Sequence, residues 1–261
     1  MMFNFIRKQD KALHAPKGKR AYAVGDIHGR DDLLELLITE IERDIASRPP
    51  ADNYVVFLGD YVDRGPGSRA VIERLSSLGA AAFTPIYLIG NHEEVLLRLL
   101  AGERGLLASW LRFGGAECCQ SYGLDPKKLG RQDERVALGS LRQAIPERHA
   151  EFLRGLVDTF RFGDYLFVHA GIRPGVDLRE QSQLDLRWIR AAFLDDRTDH
   201  GFLVIHGHTI SEAIDERPNR IGIDTGAYRS GVLSAIGLEG ADRWYLSTNA
   251  TRVEQTSTLV D

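Results

Sequence analysis

Five short runs hold the residues of this chain that could do chemistry, and most set them beside glycine. "GDIHG" at 25–29 supplies Asp26 and His28, and "GDYVDRG" at 59–65 supplies Asp60, Asp63 and Arg64. "GNHE" at 90–93 supplies Asn91 and His92, "HAG" at 169–171 supplies His169, and "HGHT" at 206–209 supplies His206 and His208. Asp, Asn and His with no thiolate suit a hard or borderline cation such as Mn²⁺, Fe or Zn²⁺. The glycines let the backbone turn sharply and bring short side chains to one point. Any one run alone is weak evidence, since "GDIHG" is also an ordinary strand-to-helix turn. Five of them in one chain are not readily a coincidence.

Such residues need elements that end where the polar runs begin. Residues 20–25 read as a buried strand. "RDDLLELLITEIERDI" follows with Leu33, Leu34, Leu37, Ile38 and Ile41 at helical spacing, and "SRPP" stops that helix. "NYVVFLG" and "TPIYLIG" read as two more strands, "GSRAVIERLSSLG" as a helix closed by Gly79, and "HEEVLLRLLAG" as a third helix. Strand, loop and helix three times over predicts parallel strands with right-handed crossovers. Residues 101–156 carry no strand signal and predict a helical insertion. "VDTFRF" and "YLFVHAG" predict a hairpin around Gly163 and Asp164, and "GFLVIHG", "RIGIDTG", "GVLSAIGLEG" and "RWYLS" predict further strands, more of them antiparallel. Ligands in open α/β sheets sit beyond the carboxyl ends of strands, which is where the polar runs fall.

Composition narrows the functional classes. The 261 residues are 43% hydrophobic and 27% charged, ordinary globular values, so no low-complexity or disordered class applies. Lys and Arg number 33 against 37 Asp and Glu, a net charge of −4 that argues against a general nucleic-acid binder. No run of about 18 apolar residues is present to span a membrane. Cys118 and Cys119 are adjacent, match no zinc spacing or disulfide framework, and read as small packed helix residues in a reducing cytoplasm. Residues 1–19 read as a flexible basic tail without a signal-peptide core, 20–248 as one domain, and 249–261 as a C-terminal tail.

Taken in order, "GDIHG", "GDYVDRG", "GNHE", "HAG" and "GHT" resemble the signatures of the phosphoprotein phosphatase family of calcineurin-like metallophosphoesterases, in its bacterial and phage-like branch. The resemblance runs from about residue 20 to residue 237. It implies a four-layer α/β/β/α sandwich and two divalent ions, manganese first and iron or zinc as alternatives. Asp26 and His28 would hold one ion, Asp60 would bridge both, and Asn91, His169 and His208 would complete the second. His206 would be an outer-shell or packing residue. Two converging carboxylates buried without cations would cost several kcal/mol per ion. Two divalent ions turn that into a charge of roughly +2, matched to a phosphate monoester of about −2. The ions would activate a shared water for in-line attack on phosphorus. His92 would protonate the leaving group, Asp63 would orient its ring, and Arg64 would clamp phosphate oxygens. The family's second arginine lies two residues after a tryptophan in phage-like members, so "LRWIR" makes it Arg190 rather than Arg187.

Two departures stand out. Ile89 occupies a position where some relatives have arginine, and "IDTGA" replaces the aromatic loop of the toxin-sensitive eukaryotic enzymes. The stretch "WLRFGGAE" resembles one in phage members but suggests no chemistry. The first reading is a cytoplasmic phosphomonoesterase acting on phosphorylated Ser, Thr or Tyr of proteins, or on a small phosphoester. The alternative is a dinucleoside polyphosphate hydrolase on the same scaffold. Typical bacterial members of that branch have glutamine where His28 stands, which tilts the choice toward the protein phosphatase. A metal- or phosphoprotein-binding module without turnover is the third reading, and the presence of Asp63, His92 and Arg64 argues against it.

Overall fold

Tyr22 and Val24 point to one face of the first strand, β1 (Lys19–Val24), and Ala21 and Ala23 to the other, and apolar clusters cover both. The computed structural model describes residues 13–79 and 82–248. After β1 come α1 (Asp31–Ser47), β2 (Asp52–Phe57), α2 (Ser68–Ser76), β3 (Thr84–Tyr87) and α3 (Asn91–Leu100). Leu33, Leu34, Leu37, Ile38 and Ile41 are the buried stripe of α1, and Arg48 is extended just before Pro49, as a residue preceding proline prefers. The three strands are parallel, with Val24 level with Phe57 and Phe57 level with Tyr87. Their carboxyl ends, and the polar runs that follow, therefore share one edge. Helix α2 stops at Ser76, short of Gly79: the Ser77 amide already closes the last turn on Arg74, so glycine is not needed there.

The insertion expected over 101–156 is helical: α4 (Leu107–Trp110), a π turn at Leu111–Gly115, α5 (Ala116–Ser121), α6 (Pro126–Leu129), α7 (Glu134–Ala144) and α8 (Glu147–Arg154). Asp125 and Asp133 cap α6 and α7 through their carboxylates. Cys118 and Cys119 are free and buried on α5 in the core that also holds α1 and α2. The hairpin is present as β4 (Thr159–Phe162) and β5 (Tyr165–Val168), joined by Gly163 and Asp164. Then follow α9 (Gln183–Trp188), α10 (Ala191–Leu194), β6 (Leu203–His206), β7 (Asp215–Arg217), β8 (Arg220–Gly222), α11 (Ala227–Ser230), β9 (Ser234–Glu239) and β10 (Asp242–Ser247).

The strands form two mixed sheets, ordered β10-β9-β1-β2-β3 and β4-β5-β6-β8-β7. The second is less antiparallel than the sequence suggested, because β5–β6 and β6–β8 pair in parallel. Ala21, Val56, Phe167, Ile205 and Ile236 meet in the core between the sheets. Helices α1–α3 and the insertion cover the outer face of the first sheet, and α9 and α10 cover that of the second through Leu186, Ile189 and Phe193. The architecture is the α/β/β/α metallophosphoesterase sandwich.

The expected N-terminal tail is too long at its described end. Ala15 is buried and its amide donates to Gly240 O at 2.7 Å, while the His14 amide donates to Asp164. The β9–β10 turn at Gly240 and the β4–β5 turn at Asp164 thus hold His14 and Ala15. Residues 1–12 and the expected C-terminal tail lie outside the described residues.

Candidate metal centre

His28, Asp60, Asp63, Arg64 and His208 are the five non-glycine residues at positive φ among those described, with φ between 45° and 72°. Left-handed backbone costs an L-residue roughly 1–3 kcal/mol and persists only where the surroundings enforce it. Every one of the five belongs to a polar run singled out above. The strain lets the chain turn just past a strand end while still aiming a short side chain at the common point. Neighbouring glycines make room: a Cβ on Gly90 would strike the Asp60 carboxylate, and one on Gly207 would strike that of Asp26.

Two buried triads result, His28–Asp60–His92 and Asp60–His169–His208, with Asp60 in both. In each triad the ligand-type atoms lie within 4.8 Å of one another. Hydrogen bonds fix the ring orientations. His28 Nδ1 donates to Val62 O at 2.8 Å, which leaves Nε2 as an unpartnered lone pair 3.4 Å from Asp60 Oδ2. His169 Nδ1 donates to Leu58 O at 2.8 Å, so its Nε2 lone pair faces Asn91 Oδ1 at 3.0 Å and Asp60 Oδ1 at 3.4 Å. Asn91 Oδ1 also meets His208 Nδ1 at 2.9 Å. Burial lowers the pKa of His169, and pushes His28 down to about 3 and His208 down to about 2, so the rings are neutral at physiological pH. Lone pairs that converge without a proton between them are what a cation satisfies, and the donor set fits a pair of divalent ions.

Asp26 lies beside these triads, not in either. Its carboxylate accepts the His208 amide at 3.0 and 3.1 Å. Burial pushes the Asp26 carboxyl well up, and Asp224 and Asp60 add to the shift. The third member of the first triad is the His92 ring. That ring is engaged on both nitrogens: Nδ1 contacts Asp63 Oδ2 at 2.6 Å, and Nε2 faces Arg64 Nη2 at 3.1 Å. Burial works against a charged His92, but Asp60 and Asp63 outweigh it and raise its pKa. Asp63 is held in turn by Trp110 Nε1 at 2.9 Å and by Ser68 Oγ on its amide.

Arg190 is exposed at the start of α10 and donates to Thr209 Oγ1 at 3.3 Å, next to His208. Arg187 is buried and spent on Asp158 and Glu94, with Nε to Asp158 at 2.7 Å. His206 is also buried but turned away: Nδ1 contacts Gly207 O, Nε2 contacts Arg220 Nη1, and the ring packs edge-on against Phe193.

The sequence reading missed four residues at this centre. Glu93 is fully buried and accepts the amides of Asp60, Tyr61, Val62 and Gly90, fastening two of the polar runs together. Burial, with Asp60 behind it, pushes its carboxyl up to about 8. Its capping position in "GNHE" was the available signal. Asp224 of "IDTGA" is buried against Asp26 and accepts the Gly226 amide; burial pushes it up to about 6. Trp110, from the stretch that suggested no chemistry, holds Asp63. Tyr228 lies with its ring edge-on to His28 at 5.4 Å and 5.0 Å from the Arg64 guanidinium.

The model of calcineurin-like phosphoesterases matches residues 19–232. The chain belongs to that family. Among curated proteins it is similar to the symmetrical bis(5'-nucleosyl)-tetraphosphatase of Acidovorax sp. (strain JS42), 40% identical over 157 residues, covering 59% of this chain and 44% of that one. The enzyme of the same name from Dechloromonas aromatica (strain RCB) is 33% identical over 153 residues, with the same two coverages. The chain thus spans less than half the length of these relatives. A tetraphosphatase of that name from Methylococcus capsulatus is 24% identical over 84% of this chain and 91% of its own. Among solved structures, a protein described as a candidate diadenosine tetraphosphatase has a TM-score of 0.60 at 22% identity, covering 90% of this chain and 98% of its own. A cold-active protein tyrosine phosphatase has a TM-score of 0.55 at 18% identity, covering 89% of this chain and 81% of its own. Both share the fold. Among the described residues no helix is long and apolar enough to cross a membrane.

Proposed function

We propose that this metal-dependent phosphoesterase hydrolyses dinucleoside polyphosphates, and that Asp26, His28, Asp60, Asn91, His169 and His208 hold its two metal ions. The name shared by the curated relatives carries the substrate choice and reverses the order in which the sequence alone ranked the two readings. His28, where that branch typically has glutamine, is the one observation favouring a phosphoprotein substrate.

The division of labour follows from the contacts. Two divalent ions, when bound, supply a hydroxide-strength nucleophile at neutral pH and positive charge for the phosphoryl oxygens. Glu93 fixes the Asp60 loop to the start of α3, so the shared carboxylate stands where both triads need it. Arg64, pinned by its amide to Gly114 O, offers a guanidinium to phosphate oxygens. His92, whose Nδ1 Asp63 engages, would protonate the departing oxygen from Nε2 once substrate phosphate draws the Arg64 guanidinium off that nitrogen. Arg190 stands on the far side, beside Thr209, to meet a second oxygen.

A substrate profile with Mn²⁺ present tests the reading. Diadenosine tetraphosphate should be turned over fastest and give ADP as sole product. Faster turnover of phosphoserine, phosphothreonine or phosphotyrosine peptides would overturn the choice. Inactivity toward every phosphoester, with metal bound, would point to the non-catalytic module.

A further inference from the structure

Next to the metal centre is a cleft of about 390 Å³ that the roles above leave unused, bordered by Arg64, Arg112, Phe113, Glu117 and Tyr228. Phe113 is 68% exposed, a large apolar ring set in water. It is nevertheless held on a rigid support. Phe113 (φ −99°, ψ 19°) and Gly114 (φ 115°, ψ −5°) break the helix in the π turn, and Gly114 O accepts the Arg64 amide at 2.9 Å. A Cβ at Gly114 would come within 2.7 Å of the Arg64 backbone nitrogen, so only glycine lets the two backbones lie this close. The turn that exhibits Phe113 is therefore bolted to the arginine that faces His92. Tyr228 adds a second ring to the cleft, with Arg64 over it. π bulges of this sort gather at functional sites.

Two rings, two guanidiniums and a carboxylate around one cleft suit a planar heteroaromatic group joined to phosphates. Base–aromatic stacking tolerates any base because every base has a π face, and arginine adds cation–π attraction. We propose that Phe113 is the stacking platform for one nucleobase of the substrate, with Arg112 meeting the phosphates between that base and the scissile bond. The proposal rests on the dinucleotide reading above and names the subsite that would supply its specificity.

The test uses inhibition by ADP and by inorganic pyrophosphate, which differ by the nucleoside, of phosphate release from glycerol 2-phosphate in excess Mn²⁺. This reporter substrate has no ring of its own. ADP should inhibit the unaltered protein roughly tenfold or more tightly than pyrophosphate, the scale of one stacked base. Phe113→Ala should bring the two inhibitors together, and Phe113→Trp should keep or widen the gap. Equal inhibition by ADP and pyrophosphate in the unaltered protein, or an undiminished ADP preference in Phe113→Ala, overturns the platform. Turnover of diadenosine tetraphosphate is scored separately. Turnover without a Phe113 effect removes the platform and leaves the substrate reading. A Phe113 effect without turnover removes the substrate reading and leaves a nucleotide site.

Discussion

The triad of His28, Asp60 and His92 comes entirely from the segments that directly follow strands of the first sheet, two loops and the first turn of α3, whereas the triad of Asp60, His169 and His208 draws both histidines from the second. The first is embedded in a hydrogen-bonded group: His92 touches Asp63 and Arg64, and Trp110 backs Asp63. The second has no such attachments: among the described residues the ring nitrogens of His169 and His208 meet Leu58 O, Asn91 and Asp60. The difference teaches that the two sides of the centre share one carboxylate but are built for different tasks. Under the roles proposed above, one would bind and protonate, while the other would only bind.

Asp60 is the place to break both sides at once. Asp60→Asn should lower turnover by roughly three orders of magnitude or more, beyond the 10–100-fold typical of outer-shell changes, and should cut bound metal below two ions per chain. Metal analysis of the purified variant checks it, and two retained ions would separate the triads. His92→Ala and His169→Ala sharpen the contrast. His92→Ala should cost roughly 10²–10⁴-fold with both ions retained, and more with phenyl phosphate than with p-nitrophenyl phosphate, because phenolate is the poorer leaving group. His169→Ala should instead lose an ion, with no such dependence on leaving group. If His92→Ala loses metal, His92 is a ligand of the first triad and not its proton donor.

Asp63→Asn should cost roughly a hundredfold, by analogy with other orienting carboxylates. Its pH profile carries more information. Burial opposes a charged His92, and Asp60 and Asp63 overcome it to raise its pKa. A proton donor is present below that pKa and lost as pH rises through it. Removing the Asp63 charge must therefore move the basic limb of kcat to lower pH, and a limb that stays put would show another donor. Trp110→Phe keeps the ring but removes one bond to Asp63, and should cost about tenfold or less with the limb shifted slightly the same way. The smallest effect belongs to the second side: His206→Gln should keep both ions and stay within about threefold in turnover. A lost ion there would return His206 to the centre.

The first side was the easier to read. His28, Asp60, Asp63, Arg64 and His92 each sit two to six positions beyond an apolar run ending at Val24, Leu58 or Ile89, so the motif and the strand that positions it lie in one short window of sequence. His169 and His208 were found through short runs and a resemblance, since the strands that bring them in pair across the sheet. The pieces that stayed hidden act through space. Trp110 lies 47 residues from Asp63, and Asp224 meets Asp26 only because β8 and β1 belong to facing sheets. Gly79 misled because helix closure was decided by the Ser77 amide, and the three-residue β7 is too short to leave a periodic signal. Packing of residues 13–18 depends on Gly240 and Asp164, which no local pattern announces.

Crystals soaked in Mn²⁺ and recorded at an anomalous wavelength test the central claim most directly. The account predicts two peaks, one on each side of the Asp60 carboxylate, with His169 and His208 at one and His28 at the other. A single peak, or peaks remote from Asp60, would contradict it.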